Sequence, residues 1–410
     1  MTTLPLYLDI SRLLSRAGLA VPTGIDRVEY EYVAYALRYW QGPLEFVAYH
    51  PVRREIRVID KMDATAFINL TASLWNGETT RITPLKWMAR RILGAATFGQ
   101  KSAPAKLPTR RAIYLLLSHH HLQQPDAIER FLQQTGARMT AMVHDIIPIE
   151  YPEYNRPGEY DRHCRRMATV ARLGSGVIVP SEAVAVALRP LLPASLPIRV
   201  IAHGMHIWGT AGNTANSVTT DIIPAPYQED PYFLCIGTIE PRKNHLLLLN
   251  IWRNLFHKYG ARTPRLVIIG RRGWENENIL DMLDRCPALK DTVMECNTLD
   301  DRQVVHLLRH TRALLFPSFS EGFGLPLLEA LAVDTPSVCS DLPVFREVGG
   351  TAAEYLDPLD GPGWMASIEK LAFAPVRQSL SELTPTAMPP PVHEWPQQAE
   401  RGIDFARTVC

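Results

Sequence analysis

The chain has 410 residues, 46% of them hydrophobic and 21% charged, with a formal net charge of +1. That length exceeds what one ordinary core organises, so two domains are expected, and the near-zero charge gives no global reason for a nucleic-acid partner. The six cysteines (Cys164, Cys235, Cys286, Cys296, Cys339, Cys410) show no C-x-x-C spacing. They indicate neither a zinc cluster nor a disulfide framework, and a reducing, cytosolic setting is expected. The opening MTTLPLYLDISRLLSR places Asp9 inside its first apolar run, unlike a secretion signal, and no apolar run approaches the length of a membrane span.

Tyr7–Ile10 predicts a first strand. Residues 22–27 (PTGIDR) then form a turn into a helix with Val28, Tyr32, Tyr35, Ala36 and Tyr39 at helical spacing. On the residues alone, this is a helix N-terminal turn capped by Thr23 or Asp26. Thr79–Pro125 holds no Asp or Glu but carries Arg81, Lys86, Arg90, Arg91, Lys101, Lys106, Arg110 and Arg111. Residues 84–98 predict an amphipathic helix with Trp87, Met88, Ile92, Leu93 and Phe98 interleaved. It reads either as an interfacial helix on anionic headgroups or as a solvated insertion between strands.

Ala112–Leu117 is an apolar strand run followed by His119, His120 and His121. Consecutive side chains point in different directions and no carboxylate cluster stands nearby, so these histidines are expected to line a site or cap the helix 124–134 rather than bind a metal. The strand 139–143 ends in His144-Asp145-Ile146-Ile147-Pro148. There a His–Asp pair is placed to orient a hydroxyl or to face developing positive charge; a satisfied structural histidine is the alternative. Glu150, Tyr151 and Tyr154 continue a polar-aromatic loop. Helix 160–171, strand 176–179, a helix 182–188 capped by Ser181 and strand 198–202 complete a first domain over residues 1–208. Residues 209–230 are small, polar and turn-rich, as in a linker.

Tyr232–Ile236 opens a second sheet and leads into Gly237-Thr238-Ile239-Glu240-Pro241-Arg242-Lys243-Asn244-His245. Arg242 offers a planar fork and Lys243 a compact charge at the start of the helix 244–257, a pairing suited to phosphate oxygens; a solvated pair is the plain alternative. Strands follow at 265–269, 293–295, 312–316, 337–339 and 353–356, with helices at 276–284, 301–310, 344–348 and 364–372. Within PSFSEGFGLPLLEALA (317–332), Ser320–Gly324 must be a loop and Pro326 suits the first turn of a helix. Unpaired N–H groups there favour an anion, while Glu321 and Glu329 make sense as acceptors from neutral sugar hydroxyls. Residues 384–396 are proline-rich and extended, and 400–409 form a terminal helix.

Here the residues carry a family resemblance. S-E-G-F-G-L-P-L-L-E-A resembles the E-x7-E motif of family 4 retaining glycosyltransferases of GT-B fold, and G-T-I-E-P-R-K-N is similar to that family's G-x-x-x-P-R-K-N signature. H-D-x-x-P looks like its acceptor-side motif, and T-G-I-D-R-V resembles its first glycine loop without the second glycine. The likeness spans about Tyr232–Leu371 and is patchy before that. It implies an α/β fold of two doubly wound Rossmann-like domains facing a cleft (1–208 and 231–385), with residues 386–410 returning to the first. It implies retaining, metal-independent transfer of a hexose from a nucleoside-diphosphate sugar to a hydroxyl of a glycan or lipid-linked acceptor. GDP-mannose comes first as donor, then UDP-hexoses and dTDP-rhamnose. The setting would be bacterial surface polysaccharide assembly in the cytoplasm, with peripheral contact at the inner face of the membrane, and no cofactor or metal.

By the same resemblance Arg242 and Lys243 neutralise the leaving diphosphate. Glu321 and the Gly322, Phe323, Gly324 and Leu325 backbone hold the donor sugar, and Glu329 the ribose. Gly24, Gly237 and Thr238 line the donor, and His144 and Asp145 attend the acceptor with His119, His120, Glu150 and Tyr151. A catalytically silent GT-B module that binds a nucleotide sugar beside a partner enzyme is the second reading. A nicotinamide dehydrogenase is disfavoured, because no G-x-G-x-x-G opens either sheet.

Overall fold

The computed structural model describes residues 4–19, 21–95, 111–205, 231–374 and 394–410. The expected linker 209–230, most of the proline-rich 384–396, and Lys101, Lys106 and Arg110 of the basic segment lie outside them. The chain divides into two compact units: Met1–Ile149, Gly158–Gly204 and His393–Cys410 form unit 1, and Glu150–Pro157 with Met205–Val392 form unit 2.

Apolar runs such as Ala112–Leu116, buried at every position, belong in a parallel sheet covered on both faces. Unit 1 is built on that principle. Its strands are β1 (Leu6–Asp9), β2 (Leu44–His50), β3 (Glu55–Ile59), β4 (Ala112–Leu116), β5 (Ala137–Met142), β6 (Gly174–Val179) and β7 (Ile198–Val200), ordered β3-β2-β1-β4-β5-β6-β7. Only β3 runs antiparallel, against β2. β1 pairs with β2 on one side and β4 on the other, so the order reverses at β1, where loops at the strand C-termini open a crevice. β2, β3 and the helix Lys61–Trp75 were not anticipated from the sequence.

The helix Gly24–Tyr39 starts where Asp26 Oδ2 accepts both the Thr23 N–H (2.8 Å) and the Thr23 hydroxyl (2.7 Å). It buries Val28, Tyr32 and Ala36. The helix Trp395–Thr408, five residues longer at its start than the sequence reading, packs on it. The two approach so closely that a Cβ on Gly402 would lie 2.1 Å from Tyr32 Oη. Only glycine fits there.

The basic segment contributes the helix Ile82–Ala95. Leu85, Ala89 and Ile92 face inward, while Lys86, Trp87, Arg90 and Arg91 face out, Trp87 being 60% exposed. Arg91 pairs with Asp63 of the helix Lys61–Trp75. Among the described residues, no helix is long and apolar enough to cross a membrane.

Unit 2 has an all-parallel sheet of β8 (Tyr232–Ile236), β9 (Arg265–Ile269), β10 (Val293–Cys296), β11 (Leu314–Phe316), β12 (Ser337–Ser340) and β13 (Glu354–Leu356), ordered β10-β9-β8-β11-β12-β13. Its core gathers Phe233, Trp252, Leu266, Leu315 and Trp364. This order reverses between β8 and β11. The loops that follow those two strands, 237–244 and 317–324, are therefore neighbours although about eighty residues apart in sequence.

Candidate active site

The reversal in unit 2 brings the two charged loops into one cluster. After β8, Pro241–Lys243 make a 3-10 turn, and Asn244 closes it in the left-handed region (φ 56) with its amide donating to Pro358 O at 2.9 Å. After β11, Ser318, Ser320 and Glu321 fold back over that turn, pinned by Phe319 N–H to Arg242 O at 2.8 Å. Gly324, at φ 101, leads into the helix Leu325–Leu331, and a Cβ there would lie 2.8 Å from the Phe345 ring.

Glu321 is the hub. Its Oε2 lies 2.9 Å from Arg242 Nη1, and its Oε1 accepts the Ser318 hydroxyl at 2.8 Å and pairs with Lys243 Nζ. Arg242 Nε reaches Glu240 Oε1 at 2.8 Å, and Nη1 also donates to Ser320 O at 2.9 Å. Lys243 Nζ sits 4.8 Å from the Phe316 ring centre, a cation–π contact. Burial pushes the Glu321 carboxyl up, but the two cations and the Ser318 hydroxyl overcome this and hold it at about 2. Burial draws Lys243 below its ordinary value against the pull of Glu321. Two carboxylates thus face two cations, and the cluster is neutral in its own right.

Several expected donor residues surround it. Gly237 (φ 151) lies against Lys243, where a Cβ would sit 3.1 Å from Lys243 Cε. Thr238 packs its methyl towards Gly273 of the loop after β9. Phe323 and Gly324 are buried, and Gly322, Leu325 and Glu329 are half-buried. Gly24 belongs to unit 1 and is the first residue of a capped helix, with Arg12 Nε 2.6 Å from Asp26 Oδ1.

Glu150 and Tyr151, expected with the first domain, belong instead to unit 2. The reason is an aromatic stack: Tyr151 lies on Tyr154 (centroids 5.9 Å) and Tyr154 on Phe319 (5.3 Å, rings 12° apart). Trp274 Nε1 donates to Tyr154 O at 3.3 Å, and Arg156 covers the Trp274 ring at 5.3 Å. Offset stacking and this hydrogen bond hold the segment to the loop that carries Glu321.

A second polar group lies in unit 1 at the C-terminal ends of β1, β4 and β5. His144 Nε2 donates to Leu117 O at 2.7 Å, and its backbone N–H donates to His119 Nε2 at 3.2 Å. His163 Nε2 donates to Asp145 O at 3.2 Å, and Asp145 Oδ1 accepts the Ile147 N–H at 3.2 Å. His119 stands 5.0 Å from His163 and 5.6 Å from His144, and His144 5.7 Å from His203, centre to centre. Burial drives all four rings below the ordinary histidine value, His144 to about 4. They are neutral imidazoles. His120, also drawn to about 4 by burial, abuts His121, whose Nε2 meets Tyr114 Oη at 2.9 Å. Tyr114 in turn donates to Asp9 at 2.8 Å. Burial and then the Asp9 charge raise Glu29 to about 8, so its carboxyl is protonated at neutral pH. Among the described residues, no set of three or more His, Cys, Asp or Glu side chains is arranged to hold a metal ion.

His163, His203, Phe319 and Glu240 were missed as site residues. The available signals were that His203 ends a strand run and that Glu240 lies inside the Gly237–His245 loop; His163 sits mid-helix with no signal at all.

The family model for glycosyl transferases group 1 matches residues 220–353. The O-antigen chain mannosyltransferase RfbU of Salmonella typhimurium is 27% identical over 73% of this chain and 74% of its own length. The serotype-specific mannosyltransferase WbdA of Escherichia coli is 27% identical over 66% of this chain, which spans 33% of WbdA's length. Among solved structures, sucrose-phosphate synthase from Thermosynechococcus elongatus superposes with a TM-score of 0.63 at 14% identity, covering 99% of both chains. HepE from Anabaena in complex with UDP-glucose gives 0.59 at 12% identity, covering 98% of this chain and 99% of HepE. At those identities the likeness speaks for the fold alone. Residues 220–353 thus match the glycosyl transferases group 1 model, in a chain of GT-B fold.

Proposed function

We propose that this chain transfers mannose from GDP-mannose to a hydroxyl of a glycan or lipid-linked acceptor, with retention and without a metal, in the assembly of a bacterial surface polysaccharide. The observation that carries the reading is the buried Arg242–Glu321–Lys243 cluster at the strand-order reversal of unit 2. The mannosyltransferase names of the relatives favour mannose as the sugar.

As the bond from the sugar C1 to the phosphate oxygen breaks, charge gathers on the diphosphate. Cations fixed in a water-poor site meet that charge without having to reorganise. Arg242 and Lys243, neutralised by Glu321 and Glu240 before the donor arrives, shift their hydrogen bonds to phosphate oxygens. Glu321, a weak base at about 2, then accepts from sugar hydroxyls rather than taking a proton. The acceptor hydroxyl forms its new bond to C1 on the face the diphosphate leaves, and its proton passes to a phosphate oxygen. With Nε2 of His144 donating to Leu117 O, Nδ1 carries the lone pair that orients the acceptor hydroxyl. Glu329 serves the ribose, and the Tyr151 ring offers its face to acceptor sugars.

A thermal-shift panel tests this. GDP and GDP-mannose should raise the melting temperature above UDP, UDP-glucose and dTDP, a ligand at a hundredfold excess over Kd adding about 2.7 kcal/mol. A panel in which no nucleotide shifts the melt removes the donor assignment. A GDP-mannose shift without GDP release in the presence of acceptor-bearing lipid extract points to the silent binding module. Peripheral membrane contact through Lys86, Trp87, Arg90 and Arg91 belongs to the same proposal. Replacing those three cations with glutamine should abolish co-sedimentation with anionic vesicles, and undiminished binding rejects it.

A further inference from the structure

His203 follows β7, 195 positions before Gln398 in the terminal helix, yet the two are hydrogen-bonded partners, both buried. The orientation of the Gln398 amide can be deduced. Its Oε1 lies 3.1 Å from the backbone N–H of Gly204, which can only donate. The carboxamide oxygen must therefore face Gly204, and its NH2 faces His203 Nδ1 at 2.9 Å. An NH2 group only donates, so Nδ1 must accept, and the His203 proton resides on Nε2. An imidazolium would set N–H against N–H there, so this contact excludes the charged ring on steric and electrostatic grounds. Trp395, one turn earlier on the same helix, has its ring centroid 6.3 Å from that of His203. The Gly204 Cα meets the Trp395 backbone so closely that a Cβ would lie 2.5 Å from it. The Gln398 carbonyl also accepts from Tyr32 Oη at 3.4 Å. The helix is clamped at this point.

His203 in turn packs on His144. We propose that Gln398 is a positioning residue: by imposing the neutral, Nε2-protonated form on His203, it keeps a positive charge away from His144 and leaves the His144 Nδ1 lone pair available to an acceptor hydroxyl. The inference rests on the acceptor-side reading of His144 given above. The groups that act on His144 are Asp145, Arg12 and Asp26, with His119 and His203 against its ring. Burial lowers His203 and His144 lowers it further, in the same sense as the amide contact.

The test is Gln398→Glu, which keeps the acceptor for Gly204 N–H and replaces the donor facing His203 by a carboxylate oxygen. Nδ1 must then carry a proton. The expected result is a folded protein whose GDP release from GDP-mannose falls about tenfold in kcat at neutral pH. Its donor KM should be unchanged, and kcat should recover as the pH rises from 6 to 8. Proton–nitrogen correlation spectra of 15N-histidine-labelled wild type, with His203→Gln to assign the ring, should show Nε2–H and bare Nδ1 across that range. A wild-type His203 protonated on Nδ1 overturns the proposal outright, and does so even if the variant fails to fold. A folded Gln398→Glu whose His203 has switched form but whose pH–kcat profile matches wild type overturns the positioning role. If His144→Gln keeps the wild-type kcat, the acceptor-side reading of His144 fails, and the spectrum alone then decides what Gln398 does to His203.

Discussion

Glu321→Gln should lose roughly three orders of magnitude in transfer and about 3 kcal/mol in stability, the range seen when one partner of a buried ion pair is removed. The substitution keeps the shape of the loop but leaves Arg242 and Lys243 facing a neutral amide, with Lys243 Nζ deep against Phe316. The acid limb of stability supplies the sign. Glu321 sits at about 2 in the folded chain against an ordinary 4.5. Its contribution is complete above pH 4.5 and is lost as the pH falls from there towards 2. At roughly 1.4 kcal/mol per unit, that is about 3 kcal/mol over the window. Melting curves of wild type between pH 5 and 2.5 should therefore fall more steeply than those of Glu321→Gln. Parallel curves would show that the carboxylate is not held by the cations in solution.

Lys243→Met separates chemistry from scaffolding. Its methylene chain preserves the packing on Phe316, and the Arg242–Glu321 and Arg242–Glu240 pairs survive, so the melt should stay within a few degrees of wild type. Transfer should nonetheless drop by about 10²–10³ in kcat, the cost of removing one fixed group that meets transition-state charge. In the double variant with Glu321→Gln, losses should combine to less than their sum, since each acts through the other. A Lys243→Met enzyme turning over at the wild-type rate would reduce the lysine to a counter-ion for Glu321.

Much of unit 2 was legible because its punctuation is local. Asp300 caps the helix Asp301–His310 through the Gln303 N–H, and Gly324 and Pro326 mark the start of the helix Leu325–Leu331. What could not be read was pairing. Arg242, Lys243 and Glu321 looked like separate ligands for one substrate; that they are first each other's partners depends on β8 lying beside β11, which no local pattern encodes. The same holds for His203 and Gln398. Residues 40–78 escaped for a different reason. Glu45 and His50 interrupt the apolar run of β2, β3 is a short edge strand, and the helix Lys61–Trp75 mixes Thr and Ala across both faces, blunting its periodicity. The segment 150–157 misled because sequence continuity argued for one unit and ring stacking decided for the other.

The close seat of Gly402 on Tyr32 bears on biosynthesis. Residues 395–408 leave the ribosome only after all of unit 2 has been made, yet they cover a face of the helix Gly24–Tyr39 and supply the amide beside His203. Until then the first-made unit waits with an uncovered apolar flank, and His203 lacks the Gln398 amide. A nascent chain stalled at residue 374 would thus hold the strands of both sheets but lack the helix that covers the first unit's flank, a natural point of engagement for chaperones.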